Sequence, residues 1–375
     1  MIAFVRSKEP LGDARQEKYY TYFNENKIEF LFIGWDRKGV LISEANQLLF
    51  KTKYERAGKL KAILFRTQWF YFVLKALSKN RNKITVIHAC DLDGALPSVI
   101  FKLFFKQKTN LKYRVIFDVF DWFSDVLKSK NNLLNGLIHL AEKFAVKHSD
   151  EIIICEPERR SQIKFKLNKE PKILRNIPYF QDKSFLVKNE KYRPFKNNKL
   201  VISYVGALSK NRLLDELILL AENEIINLNI GGFGELQLET KIKQLAMHDN
   251  VNFFGKVLYQ DGLNIMHNSD MIYAMYSVKN ANHYYAAPNK FYESIYLSVP
   301  ILSNKGTILA EKIKNLDTGF IVDEDYNSIK KLILSVENNR EILNRKSSNC
   351  ITQWDNNFCM INDIFFSSEY SKMIK

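Results

Sequence analysis

KLVISYVGALSKNRLLDELILLAENEIINLNIGGFGEL, residues 199–236, sets two β-branched runs, KLVISYVG (199–206) and INLNIGG (226–232), on either side of a polar loop and a helical stretch. Two buried strands joined through a helix are read as a parallel pair, because parallel strands need a long crossover. Working outward, the alternation continues in NVNFFG (250–255), MIYAMY (271–276), VPILS (299–303) and TGFIVD (318–323). The first half repeats it with IAFVR (2–6), EFLFIGW (29–35), ITVIHAC (84–90), YRVIFDVF (113–120) and EIIIC (151–155), and PKILRNIP (171–178) leads out. The pattern predicts an α/β chain of two doubly wound, Rossmann-like parallel sheets covered by helices. The boundaries expected are a domain over 1–180, a polar, basic, proline-containing linker over 181–198, a second domain over 199–345, and a helical segment over 346–375 that packs back on the first domain.

At 375 residues, 46% hydrophobic and 26% charged, the chain is long enough for two cores. Its net charge of +15 is uneven. Residues 1–195 hold 37 Lys and Arg against 21 Asp and Glu, whereas residues 196–375 hold 19 against 20. Such asymmetry suggests a polyanionic neighbour, either an anionic membrane surface or a nucleic acid. The stretches 55–83 (ERAGKLKAILFRTQWFYFVLKALSKNRNK) and 98–114 (SVIFKLFFKQKTNLKYR) mix basic, aromatic and aliphatic residues at helical spacing, which suits a membrane interface; a helix flanking a sheet also needs an apolar face. A nucleic-acid partner is not expected, since no reading motif is present. The N-terminus lacks a secretory apolar region, and no uncharged apolar run approaches the ~18 residues of a membrane span. A cytoplasmic protein, peripheral on the inner face of the membrane, is therefore expected. Cys90, Cys155, Cys350 and Cys359 form no CxxC pair and no metal-ligand spacing, so neither a disulfide framework nor a metal site is expected. The acidic triplet DLD (91–93) lies far from the glycine loops, and His88 sits on an apolar strand as a core residue would.

In open α/β sheets ligands bind beyond the carboxyl ends of strands. Gly206, Gly231, Gly232, Gly234 and Gly255 all follow strands of the second half. So does PNKFYESIYLSVPIL (288–302), a proline-started helix that puts Asn289, Lys290 and Glu293 on one side. A helix N-terminus beside a lysine attracts phosphate, which leaves the glutamate one turn further in without a phosphate role.

The ordered series YVGAL…R, LNIGGFGEL, NVNFFGKV, NSDMIYAMY and PNKFYESIYLSVPIL resembles the donor domain of family 4 glycosyltransferases of GT-B fold, over roughly residues 199–325. IAFVRSKEPLGDARQEK, FIGWDR, VIHACDLDGALP and FDVFDWFSD are similar, more weakly, to the acceptor half of such enzymes. The resemblance implies two domains facing across a cleft and a hexosyltransferase that retains anomeric configuration. It would move a sugar from a nucleotide-diphosphate sugar, UDP- or GDP-linked, to a glycan or polyprenyl-linked glycan of the capsule or O-antigen type, with no further cofactor. Glu293 would accept from both ribose hydroxyls, as a carboxylate can. Arg212 and Lys290 would neutralise the departing diphosphate. Gly206, Gly232, Gly234, Val257 and Asn289 would line the donor, with Asp121 contributing to catalysis. Gly12, Asp13, Arg15 and Asp91 would meet the acceptor. Two positions depart from the family pattern: Tyr285 stands where an earlier glutamate is common, and Phe120 where many members have histidine. A nucleotide-sugar epimerase of the same fold is the alternative enzyme, and a membrane-surface or nucleic-acid binding protein with a degenerate site is the non-catalytic one.

Overall fold

The structure is a computed structural model that describes residues 1–52, 59–105, 112–126, 132–167, 169–180, 182–279, 281–285 and 289–375. Parts of the two basic stretches, and Pro288, lie outside the described residues. The chain divides into two compact units, Met1–Arg175 with Asn362–Lys375, and Asn176–Ile361. Residues 182–198 thus belong to the second unit, as does the helix Glu341–Gln353, and only the last turns rejoin the first.

The first unit is built on seven parallel strands: β1 (Ile2–Arg6), β2 (Phe30–Asp36), β3 (Gln47–Lys51), β4 (Val86–Cys90), β5 (Arg114–Val119), β6 (Glu151–Ile154) and β7 (Lys172–Ile173), in the order β3-β2-β1-β4-β5-β6-β7. β1 and β4 are buried along their whole length, the signature of a sheet covered on both faces. One face packs on a core that includes Val5, Trp35, Trp69, Ala89, Val99 and Phe117. β3, with partly exposed QLLFK, is an edge strand that sequence pattern alone does not reveal.

The second unit has six parallel strands: β8 (Val201–Leu208), β9 (Asn227–Gly234), β10 (Val251–Gly255), β11 (Met271–Tyr273), β12 (Ile301–Asn304) and β13 (Gly319–Val322), ordered β10-β9-β8-β11-β12-β13. Its largest core packs Leu217, Ile230, Ile242, Tyr273 and Ile329 against the sheet. In each unit the order reverses once, between β1 and β4 and between β8 and β11. Reversal sends neighbouring crossovers to opposite faces and opens a crevice at the carboxyl ends of those strands. Among the described residues, no helix is long and apolar enough to cross a membrane.

Candidate active site

In the second unit the loop after β8 turns through a single 3-10 turn, Lys210–Arg212, whose entry is capped by the Ser209 side chain accepting from the Asn211 amide. Leu213 then takes a left-handed conformation, φ 51°, and starts the helix Leu214–Glu222. The Tyr273 hydroxyl donates to the Leu213 carbonyl at 2.5 Å, and the Ser277 amide donates to the Asn211 carbonyl at 3.1 Å. The loop after β8 is therefore tied to the end of β11, across the reversal point. The tie places the Arg212 guanidinium 4.3 Å above the Tyr276 ring, while its Nη1 is buried without a partner among the described residues.

Tyr276 is held as firmly as a strand residue although β11 ends three residues earlier. Asn304 takes the role of a neighbouring backbone: its Oδ1 accepts from the Tyr276 amide at 2.8 Å and its Nδ2 donates to the Tyr276 carbonyl at 3.0 Å. Glu324 fixes that amide in turn, accepting from Asn304 Nδ2 and from the Val278 amide, both at 2.8 Å. Burial raises the Tyr276 phenol, Arg212 lowers it, and Glu293 raises it again, so both site charges act on one ring.

Glu293 lies on the helix Asn289–Leu297, which buries Phe291, Tyr292 and Ile295. Its carboxylate is 1% exposed and pairs through Oε2 with Lys290 Nζ at 2.5 Å, three residues back. The other oxygen, Oε1, is buried and has no hydrogen-bond partner among the described residues. An unsatisfied buried carboxylate oxygen is costly and marks a place where a donor belongs. Asn289 opens the helix, half-buried.

The glycines expected at the donor also have a part in the sheet itself. Gly206 and Gly232 are register partners on β8 and β9, and Gly234 pairs with Leu208. A Cβ on Gly232, at φ +146°, would sit 1.8 Å from the Gly206 carbonyl oxygen, and one on Gly234 would sit 2.2 Å from that of Leu208. These two glycines let the strands approach each other. Val257, half-buried, presses a methyl towards Gly231 and Gly262.

At the β1/β4 reversal of the first unit, Asp13 caps the helix Ala14–Glu25 by accepting from the Arg15 and Gln16 amides, and accepts from Arg6 at 2.6 Å. Burial alone would raise the Asp13 carboxyl, but Arg6 and Lys8 outweigh it and hold it well below the usual range. Asp91 has a left-handed φ of 58° and its Oδ1 accepts from the Phe120 and Asp121 amides at 3.0 and 3.1 Å. Burial, opposed by Arg6 and reinforced by Asp93 and Asp121, pushes its carboxyl up to about 7. The Asp121 side chain is half exposed and accepts from Arg159 at 3.3 Å. Gly12 has φ +93° and open space where a side chain would be.

Arg15 does not join this group at the surface. It is 3% exposed, and Asp118 accepts from its Nη2 at 2.6 Å and its Nε at 3.3 Å, while Nη1 donates to the Leu174 carbonyl at 2.5 Å. The expectation that Arg15 faces an acceptor meets this burial: its role in the fold is to balance a carboxylate inside the unit. Tyr19 also donates to Asp118, at 2.7 Å, and His88 Nε2 lies 3.4 Å away. His88 Nδ1 is 2.9 Å from the Tyr370 hydroxyl, which locks the C-terminal turns onto the first sheet. Among the described residues, His88, Cys90 and Asp118 bring metal-ligating atoms within 4.8 Å of one another. Burial keeps Cys90 a thiol and lowers His88, and Asp118 is already paired, so the trio is a packed polar core.

Residues 188–353 match the family model of group 1 glycosyl transferases. The chain carries a group 1 glycosyl transferase domain. No curated protein matches its sequence. Among solved structures it is similar to Anabaena Alr3699/HepE in complex with UDP-glucose (14% identity, 99% of each chain covered, TM-score 0.69). It is similar too to WaaG, a glycosyltransferase involved in lipopolysaccharide biosynthesis (13%, 100% of each chain, TM-score 0.68), and to a sucrose-phosphate synthase from Thermosynechococcus elongatus (13%, 99% of each, TM-score 0.67). The two Rossmann-like units of this glycosyltransferase are those of the GT-B fold. Sequence reasoning placed Arg212, Lys290 and Glu293 in one region but missed Tyr276, Asn304 and Glu324. Their only sequence signal was position, at or beyond strand ends.

Proposed function

We propose that this glycosyltransferase moves a sugar from a UDP- or GDP-sugar to a glycan or polyprenyl-linked glycan, with retention and without a metal. The observation that carries the donor assignment is the buried Glu293 carboxylate, whose Oε1 has no partner among the described residues, one turn inside a helix whose first residues include Lys290. Two vicinal ribose hydroxyls supply the missing donors, and the diphosphate reaches the helix N-terminus and Arg212. UDP-glucose bound in the Anabaena relative is in keeping with this class of donor.

In the reaction an acceptor hydroxyl oxygen bonds to the anomeric carbon as the bond from that carbon to the diphosphate oxygen breaks. The diphosphate leaves with the electron pair, and the hydroxyl proton passes to the leaving oxygen on the same face. Charge therefore grows on the diphosphate, where Arg212 and the helix N-terminus are fixed in advance to stabilise it and Lys290 lies within the same first turn. Asp91 and Asp121, at strand ends of the first sheet, orient the acceptor hydroxyl, and Gly12 and Asp13 border its path.

An anionic membrane surface is the second partner in this reading. The first unit holds 35 Lys and Arg against 21 Asp and Glu, a net of +14, while the second is near neutral. On its helix Asn132–His148, Leu133, Leu137 and Leu140 are exposed by 74%, 56% and 61% and fall within one narrow arc, with exposed Lys143 and Lys147 continuing it.

A thermal-shift screen of UDP-, GDP- and ADP-sugars followed by calorimetry on Glu293→Ala tests the donor site. The right donor raises the melting temperature, and the variant loses it; unchanged affinity in a folded variant rejects the ribose assignment. Flotation with vesicles containing phosphatidylglycerol tests the surface. Binding should need the anionic lipid and fall in Leu133→Asp/Leu137→Asp, and equal flotation of both proteins rejects this helix as the contact.

A further inference from the structure

The Lys290–Glu293 ion pair occupies part of the proposed ribose site, and its role is inferred on the basis of that donor reading. A carboxylate that receives a vicinal diol uses both oxygens, yet here Oε2 is already held at 2.5 Å by the ammonium of its own helix neighbour. Glu293 is 1% exposed and Lys290 16%, so this is a shielded ion pair and not a fluctuating surface contact. Ribose cannot take its full place until the ammonium moves. Lys290 sits on a flexible four-carbon stem in the first turn of a nine-residue helix, at the end where amides are unpaired and an anion is favoured.

We propose that Lys290 is exchanged between Glu293 and the donor diphosphate, so that recognition of the ribose is conditional on the diphosphate. In the unliganded site the ammonium compensates the buried carboxylate. A nucleoside alone must break that pair and leaves the ammonium without an anion. A nucleoside diphosphate breaks the same pair but offers Lys290 a new anion while its hydroxyls satisfy both oxygens of Glu293. One lysine thereby rejects free nucleosides and couples the two halves of the donor, in the manner of discrimination by a group left unpaired when the wrong ligand binds.

The experiment is calorimetry of uridine, guanosine and adenosine against their diphosphates on the full chain, wild type and Lys290→Met. For whichever base binds, the wild type should prefer the diphosphate by about a hundredfold or more. In Lys290→Met the diphosphate should weaken by about tenfold and the nucleoside tighten by about tenfold, so the two affinities converge from opposite directions. Equal weakening of both ligands, or an unchanged nucleoside affinity, overturns the exchange while leaving the donor site standing. A wild type that binds no diphosphate of any base refutes the donor reading itself, and the exchange with it. Glu293→Gln gives a second test that does not depend on tolerating a buried unpaired carboxylate. Its amide releases Lys290, and inorganic pyrophosphate should bind it about tenfold more tightly than wild type; equal or weaker binding overturns the proposal.

Discussion

Asp118→Asn should cost the first unit a large part of its stability. The carboxylate is fully buried and accepts from Arg15 at 2.6 and 3.3 Å and from Tyr19 at 2.7 Å. The substitution keeps the shape and an acceptor oxygen but removes the charge, which leaves the 3% exposed Arg15 guanidinium uncompensated. Breaking a buried pair in this way costs about 3–5 kcal/mol. With a denaturant slope of about 2 kcal/mol per molar urea for a unit of this size, the midpoint should fall by about 1.5–2.5 M. Tryptophan fluorescence is the natural probe, because Trp35, Trp69 and Trp122 lie in the first unit and Trp354 in the second. Burial would raise the Asp118 carboxyl, but Arg15 and His88 dominate and depress it. A depressed carboxyl contributes stability that is present above its unfolded value of about 3.9 and is lost as pH falls below it. The wild-type advantage over Asp118→Asn should therefore persist at pH 7 and shrink below about pH 4. The double change Arg15→Met/Asp118→Leu, which removes both charges, should recover most of the loss. A single variant that unfolds within about 0.3 M of wild type would show that the pair is not the internal brace of this unit.

Gly232→Ala should destabilise the second unit by at least about 3 kcal/mol, since its Cβ meets a backbone oxygen at 1.8 Å; Gly206→Ala, which meets only the Tyr204 hydroxyl at 3.2 Å, should cost about 1, and melting temperatures compare them. Tyr276→Leu removes the ring under Arg212 and should raise the KM for donor about 3- to 30-fold with a smaller effect on kcat, while Tyr276→Phe should behave as wild type; a Phe variant as poor as Leu would point to the hydroxyl instead. Asp91, raised to about 7, should give initial rates an inflection near neutral pH that Asp91→Asn abolishes. Because a raised carboxyl favours the protonated fold, its penalty is absent at low pH and grows as pH rises towards 7, so Asp91→Asn should stabilise the chain more at pH 8 than at pH 5.

The strands were legible because buried parallel strands are written as β-branched runs: β1 spans Ile2–Arg6 as expected, and β4, β5, β8, β9 and β12 fall within a few residues of expectation. β3 escaped because half-exposed QLLFK has neither a continuous run nor clean alternation. The site was legible where chemistry is local, as for Lys290 and Glu293, which are one turn apart on a helix. It was not where partners are remote. Arg15 has the look of a surface loop residue because Asp118, the reason for its burial, lies 103 positions away. Tyr276 depends on Asn304 at the end of β12 and Glu324 just beyond β13, and nothing in NSDMIYAMY announces that Arg212 will stack on it. Nor does the sequence show that Gly232 makes room for the Gly206 carbonyl of the neighbouring strand.

The polypeptide passes from the first unit to the second after Arg175 and returns at Asn362, so the first unit is discontinuous in sequence. On a ribosome, about nine-tenths of it is synthesised well before Tyr370, the residue that covers His88, can emerge from the exit tunnel. During that interval the nascent half exposes Tyr19 and Tyr22, the rings later packed against Phe366 and Tyr370. The whole second unit has time to fold in the meantime. A message truncated after codon 361 would thus yield a chain with an intact second unit and a permanently unsealed first one, a ready substrate for chaperones and proteases.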